Sequence, residues 1–178
     1  MTCVAALAAA LALAGTAALG PAGGAAPAPL RLPVPVIRQA PERCGPAALA
    51  MVLSFYGADS AARAEADRAY DPALEGSLIT DLAAAARRAG FAASVAQVPE
   101  DSLRSLLARG VPPVLLYRRG AGVLSVGHYG VVVGWDPARQ RYALNDGGSA
   151  TRTVARGDLM RRWHAAGALA LVLSPAPP

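Results

Sequence analysis

The stretch 39–57, which reads QAPERCGPAALAMVLSFYG, decides the fold. A loop leads to Cys44, and an apolar run with helical spacing follows it. Pro46 suits the first turn of a helix, where a missing N–H costs nothing, and Gly57 suits the helix end. The pattern predicts a helix over 44–56 that begins at a cysteine. Because the N–H groups and dipole of a first turn stabilise a thiolate, Cys44 is predicted to be a reactive thiol.

Two neighbours of this cysteine favour the same chemistry. Gln39 lies five residues upstream and offers a side-chain amide. Together with the backbone N–H of Cys44, that amide could form an oxyanion hole for charge that develops on an acyl oxygen. Gly45 leaves space where a substrate would approach the sulfur. A lone cysteine is usually a small buried apolar residue, but these neighbours favour a nucleophile.

The rest of the chain is helical first and rich in strands afterwards. Helices are predicted at 60–70, 80–89, 99–109 and 158–165, and strands at 31–38, 92–98, 111–117, 128–135, 141–145, 151–154 and 169–173. This order predicts an α+β fold in which N-terminal helices pack on a C-terminal antiparallel β-sheet.

A histidine on one of these strands is the candidate base. His128 lies in the segment SVGHYGVVVGWD, and Gly127 and Gly130 leave little bulk around its imidazole. An isolated strand histidine is more often structural, so the case depends on the cysteine that accompanies it. His164, in the polar segment RRWHAAG, is given no role.

The hairpin that follows can bring a carboxylate to this histidine. If residue 134 pairs with residue 140, facing positions sum to 274, and His128 then lies opposite Asp146 on one face. A register one residue off would separate the two, since a slip of one moves every side chain to the other face. Asp146 would orient the ring and stabilise imidazolium, although the segment NDGG also suits a turn. Asp136, in a predicted turn, is a weaker candidate.

The N-terminus differs from the rest in composition. Residues 1–30 carry no charge, whereas all 17 arginines and all 12 acidic residues follow them. Segment 1–28 is interpreted as a signal peptide and flexible lead-in, and 29–178 as one domain. The product is expected in the periplasm or outside the cell. An uncleaved N-terminus would give weak membrane association.

Charge and ligand spacing argue against several classes of function. The net charge is +5, but the arginines are scattered rather than clustered, so no nucleic-acid partner is expected. The two histidines and Cys44 lack the spacing of metal ligands, and neither a metal nor a cofactor is expected.

Four segments resemble one family: QAPERCGPAALAMVLSFYG, EGSLITDLAAAARRAGF, GHYGVVVGWD and YALNDGG. They are similar to the bacteriocin-processing (double-glycine leader) cysteine peptidases and their stand-alone relatives, over about residues 33–173. The resemblance implies a papain-like fold, with Cys44 as nucleophile, His128 as base, Asp146 as the group that orients the base and Gln39 as oxyanion donor. It also implies a peptide or protein substrate.

Two departures from the family pattern keep alternatives open. Arg43 stands where transporter-linked members commonly have Asp, and Gln39 is one residue closer to the cysteine than is usual. The expected function is an exported cysteine peptidase that acts on peptide amide bonds. The alternatives are a catalytically silent peptide-binding module and a thiol acyltransferase that uses the same cleft.

Overall fold

A computed structural model describes residues 28–120 and 122–176. The predicted signal peptide lies outside the described residues except for its last position, Ala28. Within the described residues the helices are α1 (Cys44–Phe55), α2 (Ser60–Asp67), α3 (Ile79–Arg88), α4 (Glu100–Ala108) and α5 (Arg156–His164). The strands are β1 (Leu30–Arg31), β2 (Phe91–Gln97), β3 (Val114–Arg119), β4 (Val126–Asp136), β5 (Arg141–Asn145), β6 (Arg152–Ala155) and β7 (Leu169–Pro175).

The strands form one antiparallel sheet in the order β2-β7-β3-β4-β5-β6. Strand β1 pairs with β4 at Gly134 and Trp135, past the part of β4 that pairs with β3. A Cβ on Gly134 would collide with the backbone carbonyl of Leu30, so this position needs glycine for the close approach of β1. The long β4 is therefore the central element of the sheet.

Helices cover the sheet on both faces. One apolar cluster joins α1, α2 and α3 to the sheet through residues that include Tyr129, Val131 and Val133 of β4. The other cluster joins α4 and α5 to the opposite face, where Val132 of β4 lies. Because both faces of β4 are buried, its sequence is almost continuously apolar. The predicted α+β fold is confirmed, and α4 and α5 form a second helical layer that the prediction did not specify.

The predicted strand 31–38 is wrong beyond its first residue. Pro33 and Pro35 cannot donate to a β-ladder, and the segment leaves the sheet after Leu32, whose N–H bonds the carbonyl of Val133. A side chain holds the segment instead. The buried amide of Asn145 donates to the backbone carbonyls of Val34 and Pro35, at 3.0 and 3.3 Å. The chain is thereby guided toward Gln39 without being a strand.

The other predicted elements are present with ends that differ by a few residues. Helix α1 begins at Cys44, as predicted, and ends at Phe55. Each helix in residues 28–120 and 122–176 falls short of the length and apolarity that a membrane span requires.

Candidate active site

Cys44 is the first residue of α1, and the start of this helix has no side-chain cap. The N–H of Ala47 bonds the carbonyl of Arg43, and Pro46 has no N–H to satisfy. Among the described residues, no acceptor binds the N–H of Cys44 or of Gly45. Uncapped helix starts favour negative charge, so this one can stabilise a thiolate or an oxyanion.

The turn before α1 brings Gln39 back toward the cysteine. The N–H of Arg43 donates to the carbonyl of Ala40 at 3.2 Å and closes a four-residue turn. Pro41 takes the second position and Glu42 the third, where its φ of 61° is one that glycine usually provides. This tight turn shortens the path between Gln39 and Cys44, in keeping with their short separation in sequence.

Three of the four residues predicted to carry the chemistry line one open cleft. Its volume is about 900 Å³, and its wall includes Gln39, Cys44 and His128. The other lining residues are Glu42, Leu74, Glu75, Gly76, Ser77, Leu78, Ile79, Thr80, Leu116, Arg119, Val126, Gly127, Tyr129 and Leu169. The fold therefore brings the predicted nucleophile, base and oxyanion donor together, although Gln39 and His128 are 89 positions apart in the sequence.

His128 is buried near the start of β4, with 4% of its surface exposed. Its Nε2 lies 3.1 Å from the backbone carbonyl oxygen of Asp146. A carbonyl only accepts, so this bond places the proton on Nε2 and leaves Nδ1 as the basic nitrogen. Burial lowers the pKa of His128 below its ordinary value, and the guanidinium of Arg119, 3.5 Å from Nε2, lowers it further. The hydrogen bond with the Asp146 carbonyl acts in the opposite direction and raises the pKa of His128.

The hairpin register that brings Asp146 to His128 differs from the predicted one. Near the turn, facing residues sum to 277, as in Asp136 with Arg141. Between Val132 and Gly134 the register shifts by one, and beyond the shift the sum is 276. The predicted sum of 274 is wrong, because the turn lies further along the chain than its composition suggested.

This shift has a consequence for the site. An odd sum would place residues 128 and 146 on opposite faces, whereas an even sum places them on the same face. The last pair of the ladder is Val131 with Asn145, so the next residues along the two strands, Gly130 and Asp146, face each other. A Cβ on Gly130 would lie 3.4 Å from the Cβ of Asp146. His128 is thus the diagonal neighbour of Asp146 rather than its direct partner.

The side chain of Asp146 has a different environment from the one predicted. Its buried Oδ2 lies 3.3 Å from the guanidinium of Arg152, an ion pair that lacks hydrogen-bond geometry. The contact with the imidazole comes from the backbone of Asp146. The structure therefore brings Asp146 to His128, but through its carbonyl group.

Gln39 is held at the same corner of the molecule. The backbone N–H of Gln39 donates to the carbonyl of Gly147 at 3.1 Å. The side chain of Gln39 packs directly against that glycine. Gly147 has a φ of +80°, and any side chain there would overlap the amide of Gln39. The glycine that follows Asp146 is therefore needed both for the turn and for the position of Gln39.

Buried polar side-chain atoms without a hydrogen bond collect around this cleft. In the described part of the chain they are Gln39 Oε1, Ser77 Oγ, Tyr117 Oη and Asp146 Oδ2. Gln39 and Ser77 line the cleft, and Tyr117 packs edge-on against His128 with 5.4 Å between ring centroids. Unsatisfied polar groups are rare in protein interiors, and their concentration here marks the region as specialised.

No motif in the sequence indicates a role for Tyr117 or Arg119. Tyr117 faces His128 across the β3–β4 pair, and Arg119 lies two residues further along β3. The two predicted strands end at Tyr117 and begin at His128, so an antiparallel pair aligned end to end would have placed these two residues opposite each other. Burial raises the pKa of Tyr117, and the carboxylate of Asp146 acts in the same direction.

The remaining candidates lie away from the cleft. Arg43 points to the outside of α1, where its guanidinium stacks 4.2 Å above the ring of Tyr70 and lies 3.9 Å from the carboxylate of Asp67. Asp136 accepts from Arg139 in the hairpin turn, and His164 is exposed at the end of α5. Across residues 28–120 and 122–176, no group of three His, Cys, Asp or Glu residues is arranged to hold a metal ion.

The antiparallel sheet, the cysteine at the start of the first long helix and the histidine on a central strand define a papain-like peptidase fold. The sequence matches the family model described as the Peptidase_C39 like family over residues 31–171. The chain belongs to this family, and the resemblance seen in its motifs is confirmed. No curated protein matches the sequence.

Solved structures support the same fold. A double glycine motif protease from an AMS/PCAT transporter, solved in complex with its leader peptide, matches with a TM-score of 0.64 and 21% identity over 83% of this chain and 98% of the other. The peptidase domain of Streptococcus ComA matches with 0.64 and 21% over 80% and 99%. A Bacillus anthracis protein described as a C39-like peptidase matches with 0.65 and 16% over 84% and 99%. At these identities the comparison shows a common fold.

Proposed function

We propose that this protein is an exported cysteine peptidase that hydrolyses peptide amide bonds in the cleft. One observation carries the proposal: the same cleft contains a cysteine at an uncapped helix start, a buried histidine and a glutamine amide. Membership of a peptidase family supports the reaction class. These groups form the set that nucleophilic acyl transfer requires.

In the proposed first step, Nδ1 of His128 takes the proton of the Cys44 thiol. The thiolate then attacks the carbonyl carbon of the peptide bond, and the carbonyl oxygen becomes an oxyanion. The free N–H of Cys44 and the amide of Gln39 donate to that oxygen. His128 returns its proton to the leaving amine as the C–N bond breaks, and a thioester with Cys44 remains.

In the second step, water attacks the thioester. His128 takes a proton from the water, and the oxyanion forms again in the same site. Collapse breaks the C–S bond, releases the carboxylic acid and restores the thiol with the proton that His128 held. The bond from Nε2 to the Asp146 carbonyl holds the ring throughout, and Asp146 stabilises the positive charge on imidazolium.

The wall of the cleft favours a peptide substrate with apolar side chains. Leu74, Leu78 and Val126 are among the large apolar residues that the surface exposes, at 54, 53 and 61%, and all three line the cleft. Exposed apolar residues that collect in one groove are typical of a binding surface. A peptide would cover them and lie across Cys44.

A cleavage assay with a trapping step tests this function. Cys3, the second cysteine of the chain, is replaced by Ser so that Cys44 is the one thiol present. The full-length Cys3→Ser protein is incubated with a library of unstructured peptides, and products are identified by mass spectrometry. We expect cleavage, and a thioester on Cys44 after rapid acid quenching. Cys44→Ala should abolish both, while Cys44→Ser should keep the fold and lose most of the rate. Cleavage that survives in Cys44→Ala would contradict the proposal.

Export forms part of the proposal and rests on the uncharged, apolar composition of residues 1–28. N-terminal sequencing of the protein recovered from each cell fraction tests it. We expect cleavage within 17–28 and a mature protein that lies outside the cytoplasm. A full-length protein found only in the cytoplasm would contradict export, but would not affect the chemistry at Cys44.

A second candidate function is a peptide-binding module that does not turn over its ligand. The observation in its favour is that no hydrogen bond joins the Cys44 sulfur to His128 in the described part of the chain. The library used for cleavage distinguishes the two functions. Peptides that bind without cleavage and protect Cys44 from alkylation would favour the module, whereas product formation favours the peptidase.

A further inference from the structure

The residues that directly follow Cys44 and His128 both contact the same third residue, Ser77. Ser77 lies in the loop between α2 and α3, just after the isolated bridge between Asp71 and Gly76. It lines the same cleft as the two candidate catalytic residues. This loop therefore lies where the helix that carries the cysteine approaches the strand that carries the histidine.

The contact with β4 is a hydrogen bond. Tyr129, the residue after His128, donates its hydroxyl proton to the backbone carbonyl of Ser77 at 3.0 Å. The Tyr129 side chain is 4% exposed and packs in the cluster beneath α1. Burial raises the pKa of Tyr129, so its hydroxyl stays a donor at physiological pH.

The contact with α1 is close packing. A Cβ on Gly45, the residue after Cys44, would lie 3.0 Å from both the Cβ and the Oγ of Ser77. Such distances are tighter than most real side-chain contacts, so a side chain at position 45 would displace Ser77 by a few tenths of an ångström. Ser77 Oγ is buried there without a hydrogen bond among the described residues, so packing holds this side chain against the first turn of α1.

We propose that Ser77 is a positioning residue that sets the separation between Cys44 and His128, through Gly45 on one side and Tyr129 on the other. We call the set Gly45, Ser77 and Tyr129 the Ser77 clamp. The proposal rests on the proposed function, since it assigns the clamp to the Cys44–His128 pair. Because no direct hydrogen bond joins that pair, its spacing depends on the elements around it, and small displacements of reacting groups can greatly reduce rates.

The test compares two tyrosines that differ in place but not in bonding. Tyr129→Phe removes the hydroxyl of the clamp and keeps the ring. Tyr56→Phe is the matched control, because Tyr56 also donates to a backbone carbonyl, that of Leu173 at 3.1 Å, and packs in the same cluster away from the cleft. The readouts are the rate of Cys44 alkylation by iodoacetamide near neutral pH, in a Cys3→Ser background, and the melting temperature.

We expect Tyr129→Phe to slow alkylation by about tenfold, as misplacement of a reacting pair would. Tyr56→Phe should leave the alkylation rate unchanged. Both variants should lower the melting temperature by a similar amount. Gly45→Ala should also slow alkylation. The double variant Gly45→Ala/Ser77→Gly should recover much of the rate, because Ser77→Gly removes the two nearest atoms that the new methyl meets and leaves only Leu82 Cδ2 at 3.3 Å.

The failures of the two proposals are distinguishable. If His128→Ala slows alkylation but Tyr129→Phe behaves like Tyr56→Phe, the clamp is overturned and the Cys44–His128 pair remains. If His128→Ala has no effect, the pair is absent and both proposals fall. Loss of rate in Gly45→Ala without recovery in the double variant would also contradict the clamp.

Discussion

Glu100 and Asp146 are two carboxylates with little exposed surface that differ in the number of hydrogen bonds they accept. Glu100 accepts a hydrogen bond from Tyr142 at 2.9 Å, one from Arg104 at 3.0 Å and two from Arg156 at 2.7 Å each. Asp146 has Arg152 at 3.3 Å, and its Oδ2 has no hydrogen bond. The first carboxylate is saturated with donors, and the second is not.

The difference separates a structural region from a functional one. The Glu100 network, which consists of Glu100, Arg104, Tyr142 and Arg156, ties α4 and α5 to β5 and lies outside the cleft. Asp146 belongs to the region where the unsatisfied buried polar atoms collect. Saturated networks hold a fold in place, whereas buried polar atoms without a hydrogen bond are typical of functional regions. We therefore expect substitutions in the two regions to affect different measurements.

The largest effect is expected at the base. His128→Ala should lower kcat/KM for a cleaved peptide by about 10³-fold, because it removes the group that accepts the thiol proton. The melting temperature should change little by comparison. His164→Ala, on the exposed end of α5, is the matched control and should keep full activity. An active His128→Ala variant would remove the distinction between the two regions.

The next effect is expected in the Glu100 network and concerns stability. Although burial alone would raise the pKa of Glu100, its hydrogen bonds with Arg156 and Tyr142 lower that pKa below its ordinary value. A lowered carboxyl pKa adds stability above about pH 4.5, the ordinary value, and this stability is lost as the pH falls through the folded-state pKa.

Glu100→Gln should therefore lower the free energy of unfolding by about 1 kcal/mol at neutral pH, because the buried Tyr142 and the partly exposed Arg104 and Arg156 lose a charged acceptor. The difference in the free energy of unfolding between the variant and the unsubstituted protein should become smaller at acid pH. The kcat should not change. Urea unfolding at several pH values measures this. Asp101→Asn, at an exposed pair with Arg104, is the control. A loss of kcat in a stable Glu100→Gln variant would show that the network belongs to the site.

A smaller effect is expected at Asp146. Its backbone carbonyl, which Asp146→Asn retains, is the group that bonds His128. We expect kcat/KM to fall by no more than about tenfold, against the ~10⁴-fold loss that follows when a carboxylate holds the base directly. Steady-state kinetics with Asp136→Asn as control would measure it. A loss near the larger value would assign the orienting role to the carboxylate itself.

The smallest effect is expected at Arg119. Burial is the main reason that the pKa of His128 is low, and the Arg119 guanidinium lowers it further, since a nearby positive charge disfavours imidazolium. Arg119→Gln should raise the pKa of His128, as followed by NMR titration of the ring protons. Arg109→Gln, at an exposed arginine outside the cleft, should leave it unchanged. A fall in the pKa would contradict the assigned contact.

Much of the fold follows from local signals in the sequence. Pro46 and Gly57 predicted the ends of α1 to within one residue. Periodicity predicted the other helices and most strands to within a few residues. The predicted strand 31–38 failed because its prolines cannot pair, and the buried side chain of Asn145 takes over the role of a ladder. Such a contact joins residues more than a hundred positions apart and leaves no local signal.

The site was predictable in its members more than in its geometry. The residue types and the family resemblance indicated Gln39, Cys44, His128 and Asp146, and the structure brings all four to one corner of the molecule. The register near His128 could not be derived, because it depends on a shift between Val132 and Gly134 that composition does not reveal. For the same reason the contact through the Asp146 carbonyl, rather than its carboxylate, could not be foreseen.

The proposed chemistry depends on Cys44 and His128 acting as a pair. The most direct test is the rate at which iodoacetamide alkylates Cys44, measured across pH in the Cys3→Ser background with and without His128→Ala. We expect Cys44 to react faster than free cysteine near neutral pH, and His128→Ala to lower this rate by about tenfold or more. Equal rates in the two proteins would contradict the pair.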